Sequence, residues 1–168
     1  MKIILYMAIT ANGMISKEDG ETPWLETEWK SYNSTVKKFG NLIIGRKTYD
    51  LMKGDEFSGL GDPTIVVLTT GKNLKPAKNI IFVNTIQQAL DVLKKKGFKT
   101  ALVGGGGKLN SAFMKDGLVD EIYLDIEPLI FGKGIKLFAD AKFEASLELI
   151  GIKKLSKNEI QLHYKVKK

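Results

Sequence analysis

Three places in the 168-residue chain set glycine or hydrogen-bond donors directly behind a short β-rich run. In the first, "TALVG" runs into the cluster Gly104 to Gly107 and then Lys108, at the start of a helical stretch. Glycines there let backbone amides approach a ligand, and the free N–H groups with the positive end of the helix dipole attract phosphate. The same residues also suit a tight strand-to-helix turn, and they fit neither a Walker loop nor a G-x-G-x-x-G at the first strand. In the second, "NLIIG" runs into Arg46, Lys47 and Thr48, and Arg46 is the only arginine among 26 basic residues. A guanidinium offers phosphate a planar fork of donors that an ammonium cannot reproduce. A structural role, capping carbonyls or pairing with a carboxylate, is also open to it. In the third, "TIVVLT" ends at Thr69 and is followed by Thr70 and Lys72. Taken together, the three strand ends suggest a nucleotide lying across the carboxyl edge of an α/β sheet, with Arg46 meeting the extra phosphate of NADPH.

A second chemistry sits in "DGETPWLETEWKSY", where Glu28 and Tyr32 are one helical turn apart and Trp24 precedes the helix. A carboxylate beside aromatic rings can grip an amidine-like edge of a heterocycle through two hydrogen bonds, and desolvation raises its pKa. Glu26 and Glu28 would equally suit the positive end of a helix dipole. Asp125, in "EIYLDIEP", either projects into the same cleft or closes its strand in solvent. His163 falls in an alternating C-terminal strand and reads as packing or surface. The chain has no cysteine, which excludes disulfides and thiolate chemistry. Metal-ligand clusters, G-x-S-x-G and H-E-x-x-H are missing too, so neither a metal nor hydrolase chemistry is expected.

These residues need a scaffold, and the pattern supplies one. Strand-like runs "KIILYMAI", "NLIIG", "TIVVLT", "IIFV", "TALVG" and "EIYLDIEP" alternate with helical stretches at about 26 to 38, 47 to 53, 85 to 96 and 107 to 115. Thr85 and Gln88 form a capping box for the third helix, whose Ile86, Ala89, Leu90 and Leu93 share one face. "ASLELIGIKKL" and "EIQLHYKV" alternate in polarity, as a hairpin with one wet face does. The expected fold is a single α/β domain over residues 1 to 168, with a mostly parallel central sheet, an antiparallel C-terminal hairpin and flanking helices. The formal charge of +7 comes from dispersed lysines without an aromatic-basic cluster, so an anionic small ligand is expected and nucleic acid is not. The N-terminus reads as a strand and not a signal peptide, and no apolar run approaches membrane-spanning length, which points to a cytoplasmic protein.

The assembled motifs resemble the dihydrofolate reductase superfamily over essentially the whole chain. "MAITANGMIS", "DGETPW", "NLIIGRKTYDLM" and "VVLTT" follow the order and spacing of dihydrofolate reductases. "ALVGGGGKLNSAFMKDGLVDEIYLDIEPLIFGKGIKLF" is similar to the reductase domain of riboflavin biosynthesis. The resemblance implies NADPH as cofactor. Ala8 and Ile15 would flank its nicotinamide. Gly45, Arg46, Lys47 and Thr48 would hold phosphates, and Leu68, Thr69 and Thr70 would lie by the adenosine end. Val103, Gly105, Gly106, Gly107, Lys108 and Leu109 would receive the pyrophosphate. Residues 13 to 23 would close over the nicotinamide. On the substrate side the resemblance implies Met7, Ala8, Trp24, Glu28 and Tyr32. A one-residue deletion in the preceding loop brings Glu28 onto the family's catalytic acid, and Asp125 falls where a pterin-linked threonine is usual, so it supplements or replaces that acid. Dihydrofolate is the leading substrate and a ribosylaminopyrimidine 5'-phosphate the alternative. A non-catalytic nucleotide-binding protein is the reading from another class. The oligomeric state implied is a monomer or a homodimer.

Overall fold

The computed structural model describes every residue except 53, 54, 72, 73, 75 and 76, and of residues 55, 56 and 58 only the course of the backbone. In chain order the elements are β1 (Lys2–Thr10), β2 (Met14–Ser16), α1 (Glu26–Phe39), β3 (Asn41–Gly45), α2 (Arg46–Met52) and β4 (Thr64–Leu68), with a short 3-10 helix at Asp55–Leu60 before β4. They continue with β5 (Ile80–Val83), α3 (Ile86–Lys95), β6 (Thr100–Val103), α4 (Gly107–Lys115), β7 (Glu121–Glu127), β8 (Ile135–Lys136), β9 (Leu147–Lys154) and β10 (Ile160–Val166).

The main sheet has the order β5-β4-β3-β6-β1-β7-β10-β9. Every pairing from β5 to β7 is parallel, and β10 joins β7 and β9 antiparallel. This is the mostly parallel sheet with an antiparallel C-terminal hairpin that the sequence pattern implies. β1 is apolar along nearly its whole length because helices cover both of its faces. Ile3 and Leu5 pack on one side with Leu90 and Leu93 of α3 and Phe113 of α4. Ile4 and Tyr6 pack on the other with Val36 of α1, and Leu42 and Leu102 complete that layer.

The helices start and stop close to where the pattern places them. Thr85 Oγ1 accepts from the Gln88 amide at 3.1 Å and the Gln88 side chain returns the bond, which completes the capping box. Arg46 is the first residue of α2; the expected helix end at Lys53, like Lys72, lies outside the described residues. Two features depart from expectation. Met14–Ser16, inside the segment expected to close over the nicotinamide, is a strand paired with Ile135–Lys136 in a separate two-stranded sheet. Gly134 makes that pairing possible, since a Cβ there would stand 2.5 Å from the Ser16 carbonyl oxygen. The hairpin, expected to have one wet face, carries exposed Leu147, Leu149, Ile150 and Ile152 on β9, so that among the described residues this edge strand is open on both faces.

Asn41 holds the centre of the sheet where strands diverge. β3 and β6 meet in register only at Ile43 and Val103. Below that point the fully buried Asn41 donates through Nδ2 to the carbonyls of Phe39 and Thr100, both at 2.9 Å, and accepts through Oδ1 from the Leu102 amide at 3.0 Å. The side chain thus replaces missing ladder bonds. Asn41→Ala leaves a buried amide and two carbonyls unpaired and is expected to lower unfolding stability by about 3 kcal/mol in urea titration. A loss below about 1 kcal/mol would show that the two strands do not depend on this bridge.

Candidate active site

A cavity of about 820 Å³ opens between α1, α2 and the glycine turn before α4. Its floor is the carboxyl half of β1, where Tyr6, Met7 and Ala8 face it, and Ile15 of β2 closes one side. Trp24, Glu28, Trp29 and Tyr32 line one half, and Lys47, Thr48, Gly106, Gly107 and Lys108 the other. The sheet topology explains the convergence: β1 is central, and the segments after β3 and β6 emerge at the same carboxyl edge.

The glycine half has the shape of a cradle. Gly105 adopts φ +90°, a left-handed conformation natural to glycine, and a Cβ there would meet Met7 Sδ at 2.9 Å. A Cβ on Gly107 would meet the Lys136 carbonyl oxygen at 2.6 Å, and one on Gly106 would come within 3.4 Å of Thr48 Oγ1 in the cleft. The space is therefore kept free of side chains beside donors on α2 and α4, which fits a nucleotide phosphate approaching backbone amides. Gly45, Val103 and Leu109 lie in the wall and not in the lining: the Gly45 amide donates to the Gly105 carbonyl at 2.8 Å, while Val103 and Leu109 belong to the core. Arg46 donates from Nε to Asp50 Oδ2 at 2.8 Å, and its Nη1 lies 3.7 Å from the place of a Cβ on Gly71. That sets the guanidinium beside the turn formed by Thr69, whose Oγ1 accepts from the Gly71 amide at 3.0 Å. Leu68 is half-buried behind this turn and Thr70 is exposed. These residues form an arm of the edge outside the cavity itself.

The acid half is dominated by Glu28, only 1% exposed although α1 is a surface helix. Its Oε1 lies 3.2 Å from the Tyr6 hydroxyl oxygen, whose own proton goes to Asp125, and its Oε2 has no partner among the described residues. Burial first, and then the charge of Asp125, push the Glu28 carboxyl up to about 10. It is a protonated acid at neutral pH. Asp125 is wholly buried one layer behind the cavity and does not line it. There it receives Tyr6 Oη–H, Ser31 Oγ–H and Gln161 Nε2–H, each at 2.7 Å. Burial and the two acids also drive the Tyr6 phenol far above its ordinary value. Aromatic rings complete this half: Tyr32 stacks on Tyr6 at 5.9 Å, and Trp24 on Phe131 at 6.2 Å.

Sequence reasoning did not single out Tyr6, Ser31 or Gln161. The one available signal was Tyr6, whose polar tip interrupts an apolar central strand and needs a buried partner. Glu26, the other acid at the start of α1, is exposed and pairs with Lys30 at 2.7 Å. His163 lies away from the cavity, stacked on Tyr123 and 2.9 Å from Glu121 Oε2.

A parallel sheet with a buried acid at one end of its carboxyl-edge cleft and a glycine cradle at the other defines a dihydrofolate reductase-like fold. Residues 1–161 match the RibD C-terminal domain, and the chain belongs to that family. It is 32% identical over 169 residues to the uncharacterized protein YwjB of Bacillus subtilis (strain 168), covering 97% of both chains. It is 28% identical over 131 residues to the type 1 dihydrofolate reductase of Escherichia coli, covering 76% of this chain and 78% of that one. In three dimensions it is similar to RibD of Acinetobacter baumannii, with a TM-score of 0.80, 18% identity, and coverage of 99% of this chain and 58% of the other. Among the described residues no helix is long and apolar enough to cross a membrane.

The raised Glu28 has a consequence for stability. Between the ordinary carboxylate range and about 10, the native state keeps a proton that the unfolded chain has lost. Its contribution is therefore complete in acid and declines as pH rises through that window. Glu28→Gln removes this titration, so its melting temperature should match the wild type near pH 4 and exceed it by on the order of 5 °C near pH 9. A constant difference across the range would show that Glu28 is ionised in the native protein.

Proposed function

We propose that this protein is an NADPH-dependent oxidoreductase that reduces a C=N bond of a pterin-type heterocycle held against Glu28, with 7,8-dihydrofolate as the main substrate reading. The observation that carries the proposal is the unpartnered Glu28 Oε2 in a cavity whose opposite end is a glycine cradle. Family membership and the similarity to a dihydrofolate reductase support it.

NADPH, when bound, supplies the hydride for the carbon of the reduced bond. On the protein's side, Gly105, Gly106, Gly107 and Lys108 would hold the pyrophosphate. Arg46, Lys47, Thr48, Thr69 and Thr70 would hold the adenosine end with its phosphate, and Ala8 with Ile15 would seat the nicotinamide. Glu28 would orient the heterocycle, with Met7, Trp24 and Tyr32 excluding water around it. Its carboxyl, protonated at neutral pH, can deliver a proton to a ring nitrogen as the bond is reduced.

The charge state of Glu28 also favours a second reading. A carboxylate offers two acceptors and suits the paired donors of a pterin's amino and ring N–H groups. A neutral carboxyl offers one donor and one acceptor, which complements a pyrimidinedione edge. The riboflavin-pathway ribosylaminopyrimidine 5'-phosphate has such an edge.

Loss of NADPH absorbance on adding dihydrofolate, with the ribosylaminopyrimidine phosphate tested in parallel, decides between the readings. Glu28→Gln is expected to cut turnover with the true substrate by roughly 100-fold or more. Tight NADPH binding without turnover of either compound would leave a non-catalytic nucleotide-binding protein. Arg46→Lys should weaken NADPH about tenfold more than NADH in equilibrium binding, because the fork of donors to a phosphate is lost. Equal weakening of the two would assign Arg46 to its Asp50 pair alone.

A further inference from the structure

Protonating a substrate nitrogen leaves Glu28 as a carboxylate beneath a bound product, and it must regain a proton before the next turnover. A route is built on the far side of α1. The Tyr6 hydroxyl lies 3.2 Å from Glu28 Oε1 and 3.3 Å from Ser31 Oγ. Asp125 Oδ2 sits 2.7 Å from both hydroxyls, and Gln161 fixes the other carboxylate oxygen at 2.7 Å. Ser31 and Gln161 are half-buried and line a separate groove of about 440 Å³ between α1 and the β9–β10 hairpin. Lys30, Lys38, Lys153 and Lys154 border that groove, and among the described residues no carboxylate does. The hydroxyls of Tyr6 and Ser31 therefore connect the outer groove to the active-site acid.

We propose that Ser31 and Tyr6 form a hydroxyl relay that returns a proton from the outer groove to Glu28, with Asp125 as the fixed charge aligning both hydroxyls. The proposal rests on the reductase reading for its demand for protons. In each cycle the Glu28 O–H bond breaks as an N–H bond forms on the substrate. A groove water then gives a proton to Ser31 Oγ, Ser31 gives its own to Tyr6 Oη, and Tyr6 gives its own to Glu28 Oε1; a half-turn of the carboxyl about Cγ–Cδ then brings that O–H to the cavity side before the next substrate binds. Both hydroxyls end with the number of protons they began with. The hydroxide left in the groove is stabilised by the lysines and neutralised by buffer acid. Burial together with Glu28 and Asp125 keeps the phenol protonated, so the transfers along the relay are concerted and no tyrosinate accumulates. Among the described residues Glu127, from β7, also acts on Glu28, and its negative charge when ionised further favours return of the proton there.

The test is pre-steady-state NADPH oxidation by wild type, Tyr6→Phe and Ser31→Ala with whichever substrate turns over. Glu28 begins protonated, so in both variants the first turnover should be slowed much less than the later ones. Later turnovers should then be slowed at least about tenfold and acquire a solvent deuterium isotope effect. First and later turnovers falling together, or neither changing, in either variant would overturn the relay. A second measurement needs neither cofactor nor substrate: rapid-mixing infrared spectroscopy of the protonated Glu28 carbonyl band, identified by its loss in Glu28→Gln, on transfer into D2O. Deuteration slowed in both variants supports the relay, and unchanged deuteration overturns it. Absence of wild-type turnover would defeat the reductase reading while the infrared result still decides the relay.

Discussion

Glu28 on α1 and Asp125 on β7 share one buried site with the Tyr6 phenol between them, and such an interior carries one negative charge far more readily than two. Much of the local architecture follows from that constraint. The charge on Asp125 is met by three donors drawn from β1, α1 and β10, so the surface helix, the central strand and the C-terminal hairpin are tied at one point. Burial and the nearby Asp125 favour the proton on Glu28, whose Oε2 is buried without a partner among the described residues. Two chemically similar groups thereby acquire different surroundings: Asp125 is held by three donors, and Glu28 is pushed toward its protonated form.

A second acidic pair extends the same network toward the start of α1. Glu127 and Glu159 are both buried, and Glu127 accepts from the Leu25 amide at 3.2 Å, next to Trp24. Burial and the neighbouring Glu159 push the Glu127 carboxyl up to about 7. The first turn of α1 is thus held by a carboxyl instead of a side-chain cap, and the hairpin that supplies Glu159 and Gln161 helps to position the helix carrying Glu28. This gives the antiparallel hairpin a structural role despite its exposed outer strand.

How much of this was legible in the sequence depends on the range of each interaction. Thr85 with Gln88, the apolar face of α3 and the buried run of β1 are local patterns, and the structure follows them to within a residue or two at the ends. Glu28 and Tyr32 could be placed on one face by helical spacing, and the glycine run by its position after a strand. Asp125 shows where such reasoning stops. Period-two alternation places a residue on one face of a sheet, but whether that face meets a cleft or another side chain depends on α1 and β10, which are 94 and 36 residues away through Ser31 and Gln161. Ser31 and Gln161 are ordinary polar residues without a local motif, and only tertiary packing gives them a partner. The strand at Met14–Ser16 was hidden for the same reason, since its partner lies beyond residue 130.

The geometry of Arg46 leaves room for both its structural pairing and the proposed ligand-binding role in one side chain. Its bond to Asp50 uses Nε, one turn along α2, while Nη1 lies on the side facing the Thr69–Gly71 turn. A guanidinium can be fixed through one edge and still present donors from the other; a lysine ammonium engaged by Asp50 has no second rigid edge to offer. The carboxylate therefore does not compete with a phosphate for the whole group. It removes rotameric freedom from a long side chain before any ligand arrives, and that preorganisation lowers the entropic cost of recognition. Both alternatives for this arginine, pairing with a carboxylate and holding a phosphate, are compatible in this geometry because a fork has more than one edge.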